Sequence, residues 1–288
     1  MKTNNEWKNY QLLATGNGEK LENFANNILL RPDPQVIWQP PYDLETNSKL
    51  SAVYKRSAKG GGQWDYLGKV DDKFYVNWRK LIFECKLMGF KHIGVFPEQS
   101  VNWARMIETI NKAKRPIRVL NLFAYTGGAT LACLSAGASV CHVDSAKSMC
   151  EMAKKNVGIS NLDEKKVRFI VDDCLKFVER EIRRGNKYDA IIMDPPSYGR
   201  GPNGEMWKLE DNIFNLVNTT KEVMSDNPLF YLINSYTTGL QPTVMKNILD
   251  IVFKENTHIV DADEIGLESK DGITLPCGCS AYMEFQKK

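Results

Sequence analysis

Residues 117–145 read IRVLNLFAYTGGATLACLSAGASVCHVDS, and this stretch decides the fold. From Val119 to Val143 it carries no Lys, Arg, Asp or Glu over 25 residues. A membrane span needs about 20 predominantly apolar residues in one helix. Here Asn121, Thr126, Gly127, Gly128 and Gly137 break the run into short elements. The pattern predicts a buried strand at 117–122, a glycine turn, a small-residue helix at 126–138 and a second buried strand at 139–143. Glycines at a strand-to-helix turn let a ligand approach the backbone, and the first N–H groups of the helix face it.

The alternation continues outward. Helical AKSMCEMAKKN (146–156) leads to the strand VRFIV (167–171), helical DCLKFVEREIRR (173–184) and the strand YDAIIM (188–193). After a Pro/Gly loop, MWKLEDNIFNLVNTTKEVM (206–224) has helical spacing at Leu209, Ile213, Leu216 and Val217. LFYLIN (229–234), a helix near 242–254, HIVDA (258–262) and SAYMEF (280–285) complete the series. Apolar strands between helices predict a Rossmann-like, doubly wound α/β domain over 106–288, with a mostly parallel sheet covered on both faces. A turn at Pro276–Gly278 would make the last strand an antiparallel return. Residues 1–105 lack this alternation. Their short segments, QVIWQ, SAVYK, WDYLGKV, KFYVNW and KLIFECKL, predict a smaller antiparallel β-rich N-terminal domain, with Lys59–Gly62 as a loop tip.

The 288 residues are 43% hydrophobic and 25% charged, which excludes a disordered or collagen-like chain. Seven cysteines without a framework spacing, and no apolar leader near the first residue, predict reduced thiols and a cytoplasmic location. Neither the scattered His92, His142 and His258 nor Cys277-x-Cys279 has the spacing of a metal site. The net charge of +3 names no partner by itself. Within 49–91, however, ten basic residues face four acidic ones, among the aromatics Tyr54, Trp64, Tyr66, Phe74, Tyr75, Trp78, Phe83 and Phe90. Such a region either stacks unpaired bases and neutralises phosphates or simply builds the core of a small β unit.

Candidate site residues follow the strand ends. Phe123-Ala124-Tyr125-Thr126-Gly127-Gly128 opens the first helix but lacks the G-x-G-x-x-G of dinucleotide sites, so a pyrophosphate is not expected. A side chain at Gly127 would be expected to fill ligand space. Asp144 ends the second strand, where a carboxylate accepts from ribose hydroxyls; a helix cap, by Asp144 or Ser145, is the alternative. Asp172 and Asp173 end the third strand, Asp172 being a ligand group or a cap. A nucleoside with an amino-acid tail fits this spacing better than NAD. The fourth strand ends in Asp194-Pro195-Pro196-Ser197-Tyr198-Gly199. Its prolines remove two N–H donors and leave carbonyls to accept from a substrate amine, while Tyr198 can stack on a flat ring. A plain structural turn is the other reading.

Together NLFAYTGGATLACLSAGA, VDSAKSMCEMAKKN and IIMDPPSYGRG resemble class I S-adenosylmethionine-dependent methyltransferases. More narrowly they resemble the bacterial group related to the 23S ribosomal-RNA methyltransferases of the large subunit. The resemblance covers about 90–288. FKHIGVFPEQSVNW (90–103) is similar to that group's K-T-G-x-[FY]-x-D-Q-R segment, with Glu98 for the Asp and Ser100 for the Arg. GEMWKLED (204–211) resembles a subgroup of it. The resemblance implies S-adenosyl-L-methionine as cofactor, held by Phe96, Gln99, Asn121, Phe123, Ala124, Tyr125, Thr126, Gly127, Asp144, Ser145, Asp172, Asp173 and Asp194. Within this set the Phe123–Gly128 loop would take the methionine part, Asp144 the ribose and Asp173 the adenine amine. Asp194, Pro195, Pro196 and Tyr198 would act on the methyl acceptor.

One departure separates the chain from cytosine-C5 enzymes. Those carry a Cys nucleophile after the fifth strand, where this chain has Ile233-Asn234-Ser235-Tyr236-Thr237-Thr238-Gly239 with Thr237 at that place. A hydroxyl is too weakly acidic to replace a thiolate without a partnered base. The expected activity is therefore methyl transfer to a nitrogen or oxygen acceptor, a nitrogen rather than cytosine C5 being favoured, with rRNA-like RNA as substrate and the N-terminal region as its docking surface. The alternatives are an RNA-binding module that holds the cofactor without catalysis, or a methyltransferase acting on protein or a small molecule.

Overall fold

The structure, a computed structural model, describes residues 1–57, 61–200 and 206–286. Lys59 and Gly60 of the expected loop tip, and Gly204 and Glu205 of GEMWKLED, lie outside the described residues. The chain forms two compact units, Met1–Ser100 with Gly266–Cys277, and Val101–Ile265 with Gly278–Lys288.

In the first unit a five-stranded sheet runs β1 (Tyr10–Gly16), β2 (Glu19–Phe24), β3 (Asn27–Pro32), β4 (Leu50–Arg56) and β5 (Gly62–Tyr66). The turns Asn17-Gly18 and Ala25-Asn26 have positive φ at both central residues, the handedness that matches strand twist in two-residue hairpins. β3 pairs with β4 in parallel, so the region is not purely antiparallel. The connection over 33–49 crosses over instead of turning back, and QVIWQ is part of it rather than a strand: Val36 is buried but Ile37 is 88% exposed. A separate hairpin joins β6 (Phe74–Trp78) and β7 (Leu81–Cys85). Across β2 and β3 a buried ion pair stands in the sheet. Arg31 donates to Glu22 from Nε at 2.7 Å and from Nη2 at 2.9 Å, and Tyr10 donates its hydroxyl to the same carboxylate at 3.0 Å. Of the eight aromatics, Tyr54, Phe74, Trp78 and Phe83 are core, whereas Tyr66, Tyr75 and Phe90 are exposed.

The second unit begins with α1 (Ser100–Ala113), which the sequence reading leaves unassigned although Trp103, Met106 and Ile110 repeat at helical spacing and are buried. The alternation then follows: β8 (Arg118–Leu122), α2 (Gly128–Ser135), β9 (Ser139–Asp144), α3 (Lys147–Ile159), β10 (Val167–Val171), α4 (Cys174–Arg183) and β11 (Ala190–Met193). Next come β12 (Tyr198–Arg200), β13 (Met206–Lys208), α5 (Leu209–Lys221), β14 (Phe230–Ser235), α6 (Pro242–Val252), β15 (His258–Glu268) and β16 (Thr274–Phe285). The main sheet has the order β10-β9-β8-β11-β14-β16-β15. Its first five strands are parallel and β16 returns antiparallel to β14, the expected architecture. Strand order reverses between β8 and β11, and open α/β sheets bind ligands at the carboxyl ends beside such a reversal.

Three boundaries differ from expectation. Met206–Lys208 is a strand paired with β12, so the expected helix at 206–224 starts only at Leu209. The final turn lies at Ser269–Ile273, where Gly272 takes a positive φ; Pro276–Gly278 sits inside β16. A division at 105/106 falls within α1, and the far end of the β15–β16 hairpin, Gly266–Cys277, groups with the first unit. Among the described residues no helix is long and apolar enough to cross a membrane.

A polar chain runs through the second unit's core. Asn121 donates from Nδ2 to Thr130 Oγ1 at 2.9 Å, and that hydroxyl lies 3.0 Å from His142 Nδ1. Burial pushes His142 down to about 3. Its unfolded value is about 6.5, so the contribution is complete above about pH 6.5 and is lost as pH falls toward 3, at ~1.4 kcal/mol per pH unit. The His142→Gln variant should show an acid-side stability slope shallower by one proton in denaturant titrations between pH 6.5 and 4; parallel slopes would contradict this placement.

Candidate functional site

The loop after β8 is built against its own sterics. Phe123, Tyr125 and Gly127 all have positive φ, at 55°, 50° and 91°. Non-glycine residues in this region cost of order 1–3 kcal/mol each and persist only where neighbours hold them. Four bonds hold this loop. Phe123 N donates to Cys174 Sγ at 3.3 Å, Ala124 N to Val143 O at 3.1 Å, Tyr125 N to Asp144 Oδ2 at 2.8 Å, and Gly127 N to Ala124 O at 3.0 Å. Asn156 adds a bond from Nδ2 to Thr126 O at 3.0 Å. Gly127 answers to the fold rather than to ligand space: a Cβ there would stand 3.0 Å from the Cβ of Ala153 on α3, at a left-handed φ.

Asp144 stands at the tip of β9 and accepts twice, from Tyr125 N and, through Oδ1, from Ala146 N at 2.8 Å. Neither it nor Ser145 caps α3, whose N-cap is Ala146. Asp144 is half-buried and Ser145 exposed. At the end of β10, Asp173 rather than Asp172 is the helix cap, accepting from Lys176 N at 2.9 Å. Asp172 is ion-paired with Arg180. Asn121 lies within β8 and is spent on Thr130. Phe96 and Gln99 belong to the first unit, where Phe96 packs edge-on against His92 at 5.1 Å. The structure thus gathers the 123–128, 144–145 and 172–173 segments at one edge of one sheet.

The Asp194-Pro195-Pro196-Ser197-Tyr198 segment leaves β11 across the reversal point. Its carbonyls are not all open, as the sequence suggests: Pro196 O accepts from Trp207 Nε1 at 2.8 Å and Ser197 O from Leu209 N at 3.1 Å. Trp207 also lies 6.4 Å from the Phe123 ring, so it braces both loops. Tyr198 is 61% exposed, with Lys208 Nζ 5.9 Å from its ring centroid. From β14 and its following turn, Asn234 Nδ2 donates to Asp194 Oδ1 at 2.9 Å and Thr237 Oγ1 to Ser197 Oγ at 2.6 Å. Sequence reading missed Trp207, Asn234 and the engagement of Thr237, because pairing between distant loops leaves no periodic signal.

Residues 68–221, more than half of the chain, match the model of a family described as S-adenosylmethionine-dependent methyltransferase. The chain belongs to that family. The resemblance and the α/β fold read from the sequence are borne out, and the cofactor they imply, S-adenosylmethionine, is the family's. Among curated relatives is ribosomal RNA large subunit methyltransferase K/L of Shewanella sp. (strain MR-4), 25% identical over 231 residues, covering 79% of this chain and 30% of that protein. Ribosomal RNA large subunit methyltransferase I of Enterobacter sp. (strain 638) is 42% identical over 82 residues, 28% of this chain and 21% of that protein. The chain spans about a fifth to a third of the length of the curated relatives it matches. A solved S-adenosylmethionine-dependent methyltransferase from Agrobacterium tumefaciens superposes with a TM-score of 0.91 at 30% identity, covering 98% of this chain and 92% of that one. The structure of SMU.776 complexed with SAH shares the fold, with a TM-score of 0.77 at 18% identity, covering 97% of this chain and 76% of that one.

Replacing Asp144 by Ala leaves the Tyr125 and Ala146 N–H groups without their acceptor and frees the strained loop. S-adenosylmethionine binding, read by titration calorimetry, should weaken by ~1–3 kcal/mol. An unchanged Kd in the folded variant would separate this loop from the cofactor.

Proposed function

We propose that this methyltransferase acts on a nitrogen of an RNA acceptor, and that Asp194 and Tyr198 position that acceptor. The observation that carries the nitrogen reading is the state of the thiols and of Thr237. All seven cysteines are buried. Burial raises each thiol, to about 11 for Cys141, Cys150 and Cys279 and further for Cys85, Cys133 and Cys174. Where cytosine-C5 chemistry needs a thiolate, Thr237 donates its hydroxyl to Ser197. A nitrogen acceptor needs no such nucleophile, only alignment.

The cofactor's place on this reading is the edge formed by the loop after β8 and Asp144. The fit rests on the backbone: positive φ at Phe123, Tyr125 and Gly127 makes a concave turn at a helix N-terminus. Each Asp144 oxygen already accepts one N–H and has a second lone pair for a ribose hydroxyl. Asp173, at the tip of β10, would take the adenine amine beside the bond by which its Oδ1 caps α4. When bound, S-adenosylmethionine would supply an electrophilic methyl group for the acceptor nitrogen, with S-adenosylhomocysteine as leaving group and the nitrogen's proton going to solvent. Asp194, a carboxylate held by Asn234, accepts from the acceptor's N–H. Tyr198 supplies a stacking face beside the Lys208 cation.

RNA is favoured because the curated relatives are named as ribosomal RNA large subunit methyltransferases. The basic segment 49–91, with exposed Tyr66, Tyr75 and Phe90, provides cations and stacking faces in the first unit. An rRNA-like acceptor places the reaction in the cytoplasm.

Tyr198→Ala should lower tritiated methyl transfer to total RNA about 5- to 150-fold, the equivalent of ~1–3 kcal/mol of stacking. Its S-adenosylmethionine affinity should stay within twofold. Loss of cofactor affinity instead would put Tyr198 in the cofactor site, and label appearing only in protein or small-molecule fractions would overturn the RNA reading.

A further inference from the structure

The turn after β14 grips the acceptor-side segment through two side chains. Asn234 is 1% exposed and donates from Nδ2 to Asp194 Oδ1 at 2.9 Å. Thr237 donates from Oγ1 to Ser197 Oγ at 2.6 Å, its own N–H donating to Ser235 Oγ at 3.0 Å. The carboxamide orientation follows from chemistry, since only its nitrogen can donate to a carboxylate. Its Oδ1 is left buried without a hydrogen-bond partner. A buried carbonyl oxygen in that state lowers stability, and such groups in folded proteins mark a functional role or a missing ligand. Packing alone would favour an apolar residue directly after Phe230 to Ile233, a run that is buried throughout.

We propose that Asn234 and Thr237 are positioning residues for the methyl acceptor. Asn234 fixes the orientation of Asp194 by donating to its carboxylate, and Thr237 fixes Ser197 and with it the backbone leading into Tyr198. This rests on the assignment of Asp194 and Tyr198 to the acceptor side. Asn234 pairs in the sheet with Ser280, and its neighbour Ser235 with Cys279, whose thiol burial raises to about 11, so neither partner is charged at neutral pH. The helix whose Leu209 N–H bonds Ser197 O carries Lys208, Glu210 and Asp211 at its start.

Asn234→Asp tests the arrangement. Two carboxylates at hydrogen-bond distance cannot both ionise, so one keeps its proton above the usual range. The protonated Asp can donate to Asp194 as the amide does. Methyl transfer to RNA by this variant should therefore approach the wild-type rate at pH 6 and fall at least tenfold below it by pH 8. Its melting-temperature deficit should widen over the same range, a readout that needs no acceptor. Asn234→Leu should lose at least tenfold in transfer at every pH, with S-adenosylmethionine affinity within twofold. Thr237→Val should lower transfer, and Thr237→Ser should restore it. A pH-independent deficit in Asn234→Asp, or cofactor affinity falling together with transfer in Asn234→Leu, would overturn the proposal. If wild-type protein binds cofactor but labels no RNA, the acceptor reading itself fails, whereas the melting comparison still decides whether Asn234 holds Asp194.

Discussion

The hydrogen bond from Tyr125 N–H to Asp144 ties the turn after the first parallel strand to the tip of its neighbour. Without it, two bulky residues at positive φ, Phe123 and Tyr125, would relax into ordinary backbone and the concave edge would flatten. The same carboxylate holds Ala146 at the entry to α3, so one side chain sets the loop, the strand tip and the next helix. Asp144 therefore has a structural duty that precedes any ligand.

Across the reversal of strand order the problem is solved differently. The Asp194–Tyr198 segment has two prolines and few donors of its own, so it is braced from outside by Trp207, Leu209, Asn234 and Thr237. Trp207 reaches toward Phe123 as well, which links the two loops through apolar contact. The division matches two tasks, a backbone-built cradle on one side and a side-chain-built wall on the other.

The fold was legible where burial is continuous. VLNL, SVCHV, AIIM and LFYLIN are apolar on both faces because helices cover both, and this pattern has no other reading once glycines break the run. Three strands at the chain's start were missed, although Asn17-Gly18 is a hairpin turn signal, because polar LENFANN hides the alternation in β2. Half of the aromatics read as stacking faces serve as core, since in a small sheet the same alternation serves both ends. Strand-end candidates such as Asp144 were legible from position alone. Asp172 was not separable from Asp173: which of two adjacent carboxylates caps α4 depends on Arg180, about two helical turns away, drawing Asp172 aside. Asn234 and Trp207 carry no local signal, as their partners lie 40 and 11 residues away in the chain.

The central claim is that the backbone from Phe123 to Gly128, with Asp144, is the cofactor's seat. Amide chemical-shift mapping of the isotopically labelled protein on addition of S-adenosylhomocysteine tests it most directly. The account predicts the largest shifts at 123–128 and 144–146, smaller ones at 172–174, and little change in β1 to β5. Large shifts confined to the first unit's sheet, with Tyr125 and Ala146 unmoved, would contradict it.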